Sequence, residues 1–160
     1  MTETLDPTDA RILQIIQNDA GLSVAEIAER VGLSPSPCWR RIKRLEDEGV
    51  IRGRVTLLDS EKLGLSFEAF LMVKLATPTR ENFDAFEQAV QGWPEVVQCA
   101  TITGREDFLL RIVARDIHGF DQFLRDKLLA LSLGSDVQSH IVVRRVKNTT
   151  AMPLDLASQA

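Results

Sequence analysis

Hydrophobic residues in the first fifty positions recur at the spacing of three short helices. Asp6 precedes a first-turn proline and predicts the start of a helix that runs to about residue 19. Ser23 and Glu26 form a capping box that opens a second helix, and Gly32 ends it. The third starts near residue 35 and buries a stripe made of Cys38, Ile42 and Leu45. Two helices joined by a short glycine-containing turn predict a helix-turn-helix.

After Gly49 the helical spacing gives way to alternation. The stretch "VIRGRVTLLD", residues 50–59, predicts an extended strand or wing beside the third helix. The stretch "LGLSF", Leu63–Phe67, predicts a hinge, after which the pattern of the second half begins.

Strand and helix patterns alternate in the second half in the order β-α-β-β-α-β. We expect strands at 67–76, 96–103, 108–114 and 137–146, and helices at 80–91 and 118–131. This order predicts a ferredoxin-like domain with one antiparallel sheet and two helices on one face, so the fold class is α+β. We divide the chain into a helix-turn-helix domain (1–54), a linker strand and hinge (55–66), a ferredoxin-like ligand-binding and oligomerisation domain (67–150) and a C-terminal tail (151–160). The tail either docks as an extended arm or stays mobile.

The first strand of that sheet predicts a self-association surface. If Ala69, Leu71 and Val73 meet the helices, Phe70 and Met72 lie on the face that no helix covers. Small domains rarely leave contiguous apolar patches in water, so we expect this face to be buried in a homodimer.

Composition limits the class of protein. The 160 residues are 44% hydrophobic, enough for a real core, and the net charge of -4 excludes a protein that coats nucleic acid by bulk charge. No apolar run approaches the roughly 18 residues of a membrane span, and the N-terminus lacks a signal-peptide pattern, so we expect a cytoplasmic protein without a membrane partner. Cys38 and Cys99 suggest neither a disulfide nor a zinc site, and we expect both to be reduced and mostly buried.

Positive charge is nevertheless concentrated on the third helix, which indicates contact with double-stranded DNA. A recognition helix reaches base edges mainly with its N-terminal half, and arginine can bind guanine with two hydrogen bonds, so Arg40 is expected to set specificity. Ser36, Trp39 and Lys43 are also well placed for the groove. Phosphate contacts are expected from Arg41, Lys43 and Arg44, with Ser34, Arg52 and Arg54 beside them.

Alternatives remain for these residues. The charged run could be a solvated face with ion pairs such as Lys43 with Asp47, although the capped helix and glycine turn before it favour DNA. Trp39 either anchors the helix in the core or touches the DNA backbone. Cys38 is more simply a small buried hydrophobe than a redox group.

The loop "TGREDF", residues 103–108, is a candidate small-molecule site. Gly104 can expose backbone amides to a carboxylate, and Asp107 offers an anion to an ammonium group. The loop thus carries complements of both charged groups of an amino acid, although glycine and aspartate in a hairpin commonly serve turn geometry alone.

Four segments of the chain resemble the Lrp/AsnC, or feast/famine, transcriptional regulators of bacteria and archaea. They are "LDPTDARILQIIQND", "IAERVGLSPSPCWRRIKRLEDEGVI", "WPEVVQCATITGREDFLLRIV" and "VKNTTAMPL". The resemblance implies a helix-turn-helix joined to a ferredoxin-like effector domain, the RAM domain, with dimers that associate into tetramers or octamers. It also implies an amino-acid effector bound between dimers. We expect no other cofactor.

Within the effector domain, the resemblance points to the loop residues Thr103, Gly104 and Asp107, and to Ser135 and Ser139 in the segment before and within the last strand. The sequence departs from the family at two positions: the family often has an aromatic residue where this chain has Ala100, and a tyrosine where it has Phe108. These changes remove a hydroxyl and leave the identity of the effector open. The operator sequence, the sign of regulation and the size of the final assembly are also left open by the sequence.

Two other classes compete with a regulator. An enzyme would need Cys99, His118 and His140 as nucleophile and bases, but no pairing of these residues and no phosphate-binding loop supports it. An architectural DNA-binding protein without a ligand differs from a regulator in showing no metabolite-dependent change in assembly.

Overall fold

The N-terminal helices are α1 (Pro7–Asn18), α2 (Val24–Val31) and α3 (Pro35–Asp47) in this computed structural model, which describes residues 5–157 apart from the side chains of Ser135 and Ala157. Asp6 caps α1 by accepting from the amides of Thr8 and Asp9, both at 2.8 Å. The predicted capping box of α2 is confirmed, since the Ser23 and Glu26 side chains each accept from the other's backbone amide. Gly32 ends α2 with a φ of 72°, a conformation that glycine adopts without a Cβ clash.

The apolar faces of these helices share one core. Ile12, Ile27 and Leu45 are among its buried members, and Cys38 is fully buried as expected. Burial raises the pKa of the Cys38 thiol, which keeps it protonated and agrees with its interpretation as a small hydrophobe.

The predicted wing strand is not formed. Residues 52–59 adopt no regular secondary structure, and Val55, Leu57 and Leu58 are largely exposed. A strand requires a neighbour for its backbone hydrogen bonds, and within residues 5–157 none pairs with this segment.

The second unit, Leu57–Val146, contains the expected β-α-β-β-α-β order. Its strands are β1 (Phe67–Leu75), β2 (Val96–Thr101), β3 (Phe108–Ala114) and β4 (Gly134–Ile141), in the sheet order β2-β3-β1-β4 with antiparallel neighbours. The first helix of this unit, α4, spans Arg80–Gln91, the predicted range. The second, α5 (Ile117–Phe123), continues as a π-helical turn over Leu124–Leu129 instead of as the single α-helix predicted to residue 131.

Both helices cover one face of the sheet. Phe86, Phe123 and Phe108 lie in a single core with the odd-numbered residues of β1 from Ala69 to Leu75. The other face carries Phe70 and Met72, as predicted, and no helix of the described unit covers it.

Two expectations for the strands were wrong. β4 begins at Gly134 and ends at Ile141; the Val142 amide still donates to the carbonyl of Glu68 in β1 at 2.9 Å, but residues 143–146 adopt no strand. Cys99 is exposed, because β2 is an edge strand of the sheet.

The end of the chain returns to the N-terminal unit. Residues from Lys147 onward cluster with those up to Thr56, and a last short helix, α6, spans Leu154–Ala157. No helix among residues 5–157 combines the length and apolar composition that a bilayer crossing requires.

Candidate DNA-binding and effector sites

The outward side of α3 presents a polar and aromatic surface. Ser36, Arg40 and Lys43 are exposed, and the Trp39 side chain is 54% exposed. Of the two roles that the sequence left open for Trp39, this exposure favours contact with a partner over anchoring in the core.

Arg41 and Arg44 point toward α1 and bind its acidic residues. Nη1 of Arg41 donates to Oδ1 of Asp9 at 2.9 Å and also pairs with Asp6. Nη2 of Arg44 pairs with Oδ2 of Asp9, and Glu48 lies 3.7 Å from the Arg44 Nε. Asp9 is 1% exposed, so both oxygens of a buried carboxylate are used to hold α3 against α1.

The ionisation of this cluster agrees with its geometry. The hydrogen bond from Arg41 lowers the pKa of Asp6, and the two carboxylates raise the pKa of Arg41. The Arg41 charge is therefore engaged within the fold, and a phosphate would have to compete with two carboxylates for it.

The remaining basic residues differ in whether they form ion pairs within the described part of the chain. Lys43 pairs with Asp47 at 2.8 Å, as the sequence suggested, and Arg54 pairs with Glu46 at 3.1 Å. Arg40 and Arg52 are exposed, and no ion pair of either is found in the described part of the chain. Ser34 is the N-cap residue of α3, but its side chain makes no capping hydrogen bond and is exposed.

The loop between β2 and β3 has an open backbone at Gly104. Its φ of 135° favours glycine, and a Cβ built there would meet no heavy atom within 4 Å. Thr103 is exposed beside it. A ligand could therefore approach the backbone closely at this point.

Asp107 is partly committed to the fold. Its Oδ2 accepts from the Leu75 amide at 2.8 Å, and its own amide donates to the carbonyl of Val73 at 3.0 Å. These bonds tie the loop to the end of β1, where the register with β4 shifts between Lys74 and Leu75. The carboxylate thus has a structural task in addition to any charge it offers to a ligand.

The sheet brings further polar residues to this loop that the sequence did not single out. Nε2 of Gln138 lies 3.4 Å from Oε1 of Glu106 and 3.3 Å from Oδ2 of Asp136. Nη2 of Arg105 is 3.9 Å from the same Asp136 oxygen. Alternation along β4 could have identified residues 136 and 138, since both belong to the uncovered face.

Of the two serines proposed for this site, the structure describes the side chain of only Ser139. Ser139 stands opposite Leu71, a helix-side position of β1, so the register favours Asp136 and Gln138 over Ser139 as neighbours of the loop. The side chain of Ser135 lies outside the described part of the structure.

The three residues considered for catalysis are not brought together. His140 pairs with Phe70 on the uncovered face, while Cys99 pairs with Leu110 on the helix side, and His118 lies in the first turn of α5. Although the residue as a whole is exposed, partial desolvation of its sulfur, and then the charge of Glu87, raises the pKa of the Cys99 thiol, which opposes a nucleophilic thiolate. Among the described residues there is no group of three or more His, Cys, Asp or Glu that could hold a metal ion.

Two family models together match most of the chain. The first is a winged helix-turn-helix DNA-binding model over residues 5–52, and the second is the Lrp/AsnC ligand binding domain over residues 68–152. This chain belongs to the Lrp/AsnC family. It combines the DNA-binding helix-turn-helix and the ligand-binding domain of that family's transcriptional regulators.

Relatives match along nearly their whole length. The DNA-binding transcriptional activator DecR of Escherichia coli K12 is 36% identical over 151 residues, covering 94% of this chain and 99% of DecR. The glutamate uptake regulatory protein of Zymomonas mobilis is 37% identical over 154 residues, covering 96% of this chain and 93% of the relative. Both relatives are regulatory proteins.

A solved structure supports the same fold. The transcriptional regulator NMB0573 of Neisseria meningitidis, crystallised as a complex with L-Met, superposes with a TM-score of 0.92 at 40% identity. The match covers 96% of this chain and 99% of that one. This Lrp/AsnC chain therefore shares the fold of that regulator over nearly the whole of both chains.

Proposed function

We propose that this chain is a sequence-specific transcriptional regulator whose DNA binding or assembly responds to an amino acid. The observation that carries the proposal is the outward side of α3, where Arg40 is exposed and unpaired among residues 5–157 while Trp39 stands beside it. Membership of the Lrp/AsnC family supports DNA as the partner.

The ion pairs of α3 revise the division of labour expected from the sequence. Arg40 keeps the role of reading bases, and Arg52 and Lys43 bind phosphates, because an exposed pair such as Lys43 with Asp47 is worth little and exchanges readily. Ser34 and Arg54 contact the backbone beside them. Arg41 and Arg44 instead hold the recognition helix in place through Asp9.

The effector is proposed to bind at the loop of Thr103, Gly104 and Asp107. The open backbone at Gly104 complements a carboxylate, and the acidic groups of Asp107 and Asp136 complement an ammonium. The complex of NMB0573 with L-Met supports an amino acid as the ligand class, without fixing which one acts here. Ser135 and Ser139 remain secondary candidates.

Assembly is proposed to proceed through the uncovered face of the sheet. Phe70 and Met72 are half-buried there, and Glu68 binds Arg111 at 2.5 Å and also pairs with Arg145 beside them. A second copy would cover this face in a homodimer, which further associates into a tetramer or octamer. Because DNA is its partner, we place the protein in the cytoplasm, with no membrane partner, no cofactor besides the effector and no catalytic role.

The test is fluorescence anisotropy with labelled DNA from upstream of the protein's own coding region, in dilute buffer. Arg40→Ala should reduce the preference for this fragment over unrelated DNA, with about 1–3 kcal/mol of discrimination lost. Arg52→Ala should weaken binding to both fragments equally and lower the slope of log affinity against log salt by about one unit.

The control is Arg80→Ala, which removes an arginine of α4 that is 95% exposed and should leave binding unchanged. Equal effects of the Arg40 and Arg52 variants would contradict the division of labour. Absence of binding by the wild-type protein to any promoter fragment would contradict a regulator. An architectural protein would instead bind all fragments alike and show no metabolite-dependent assembly.

A further inference from the structure

The residues after β4 form an arm that reaches the helix-turn-helix. Residues 142–153 adopt no helix or strand, and those from 147 onward belong to the same compact unit as α1, α2 and α3. We call residues 147–157 the C-terminal arm. The arm is thus part of the DNA-binding unit in space, although it follows the effector domain in sequence.

Gln17 of α1 holds the arm by its backbone. Its Oε1 accepts from the amide of Met152 at 2.8 Å, and its Nε2 donates to the carbonyl of the same residue at 3.1 Å. The Nε2 also donates to Oε1 of Gln14 at 2.9 Å, which orients the amide group. The Met152 side chain is 65% exposed, so α1 recognises the main chain at this position and not the side chain.

An apolar contact adds to this pair of hydrogen bonds. Leu154, in α6, is partly buried and packs against the helix-turn-helix core. The arm is shaped locally, since the Ala151 amide donates to Oγ1 of Thr149 at 3.1 Å and the Leu156 amide to the carbonyl of Pro153 at 3.0 Å. The contact therefore combines a fixed backbone position with one buried side chain.

The same helix holds the recognition helix at its other end. Asp6 and Asp9, at the start of α1, bind Arg41 and Arg44 of α3, while Gln17 lies in the last turn of α1. Movement of the arm against α1 would thus act on the element that fixes α3.

We propose that the C-terminal arm docks reversibly on the DNA-binding domain. The docked arm links the last strand of the effector domain to α1 and, through Asp9, to the recognition helix. β4 carries Asp136 and Gln138 beside the candidate effector loop, and residues 142–146 connect its end to the arm. The inference rests on the proposed function insofar as α3 is the recognition helix. When the arm is docked, a change in the conformation of β4 is transmitted along the chain to α3.

Hydrogen–deuterium exchange of the full-length protein tests arm docking without DNA. In the wild type the Met152 amide should be protected, and Gln17→Ala should speed its exchange about tenfold, as expected for loss of a paired hydrogen bond. Leu154→Ala removes the apolar contact instead and should act in the same direction. Asn18→Ala is the matched control, because Asn18 is an exposed amide of α1 whose Nδ2 donates to the carbonyl of Gln14 within the helix.

The anisotropy assay then tests the consequence for DNA. Gln17→Ala and Leu154→Ala should each weaken binding to the promoter fragment about fivefold or more, within the usual range of coupling between sites, while Asn18→Ala binds like the wild type. If the Met152 amide exchanged as fast in the wild type as in Gln17→Ala and Leu154→Ala, arm docking would be overturned. Faster arm exchange with unchanged DNA affinity would overturn the link to α3, whereas failure of the wild-type protein to bind DNA would count against the proposed function itself.

Discussion

Replacement of Asp9 by asparagine tests how much the recognition helix depends on a buried carboxylate. Asp9 is 1% exposed, and its two oxygens face the guanidinium groups of Arg41 and Arg44. Asparagine keeps the size of the side chain and one acceptor. It removes the negative charge and turns an NH2 group toward one of the two cations.

The cost follows from the surroundings of the two arginines. Removing one partner of a fully buried ion pair destabilises a protein by about 3–5 kcal/mol. Here the arginine side chains are 31% and 45% exposed, so water solvates part of the charge left behind, and Asp6 still binds Arg41. We therefore expect Asp9→Asn to lower the free energy of unfolding of the helix-turn-helix by about 2 kcal/mol.

Urea unfolding measures this change in one domain at a time. The protein has two tryptophans, Trp39 on α3 and Trp93 in the core of the effector domain, so a Trp93→Phe background leaves Trp39 as the reporter of the helix-turn-helix. With a slope of about 1 kcal/mol/M for a domain of this size, the midpoint should fall by roughly 2 M.

Asp47→Asn in the same background is the control. It breaks the exposed pair with Lys43, which is worth about 0.5 kcal/mol or less. Equal urea midpoints for the two variants would refute the inference that Asp9 contributes more to the free energy of unfolding than a surface carboxylate does. The loss of DNA affinity should also be larger for Asp9→Asn than for Asp47→Asn, since only Asp9→Asn weakens the attachment of α3 to α1.

Three further predictions concern acid, effector and assembly. Since Arg41 holds the pKa of Asp6 below its usual value of 3.8, the stability that Asp6 contributes is complete at neutral pH and is lost as the pH falls below about 4; acid titrations of Asp6→Asn should lack this loss. Asp107→Asn keeps an acceptor for the Leu75 amide but removes the negative charge, so its ligand-free melting midpoint should be unchanged. In a thermal-shift screen with the common amino acids, the wild type should be stabilised by about 2.7 kcal/mol at a ligand concentration 100 times the dissociation constant, and the variant should lack this stabilisation. Phe70→Asp should convert the dimer to monomers in size-exclusion chromatography with light scattering, and an unchanged mass would argue against the uncovered face as the interface.

Local signals predicted most of the helical structure correctly. The capping box of Ser23 and Glu26 and the left-handed Gly32 fixed α2, and α4 occupies its expected range after the capping residue Thr79. These signals act between residues three or four apart, so the sequence displays both partners side by side. The ion pair of Lys43 with Asp47 was predictable for the same reason.

Strand ends were less predictable because they depend on neighbours that are distant in sequence. The sequence predicted one strand over 137–146, yet β4 stops at Ile141, and beyond it only the Val142 amide, which donates to the carbonyl of Glu68, continues the contact with β1. The segment 52–59 was also expected to be extended, but no strand among residues 5–157 pairs with it. Exposure of Cys99 follows from the sheet order, which places β2 at an edge and which hydrophobic spacing alone does not reveal.

The roles of Arg41 and Arg44 depend on partners more than thirty residues away, yet the sequence does contain a signal for them. Asp9 precedes Ile12, Leu13 and Ile16 by three, four and seven positions, so a carboxylate lies within the apolar stripe of α1. A carboxylate in such a stripe needs a cation or a set of hydrogen-bond donors, because burying it unpaired is costly. The nearest candidates are the arginines at the edge of the buried stripe of α3. Once they are assigned to Asp9, Arg40 and Lys43 are the two cations of "RRIKR" that remain on the outward side for DNA.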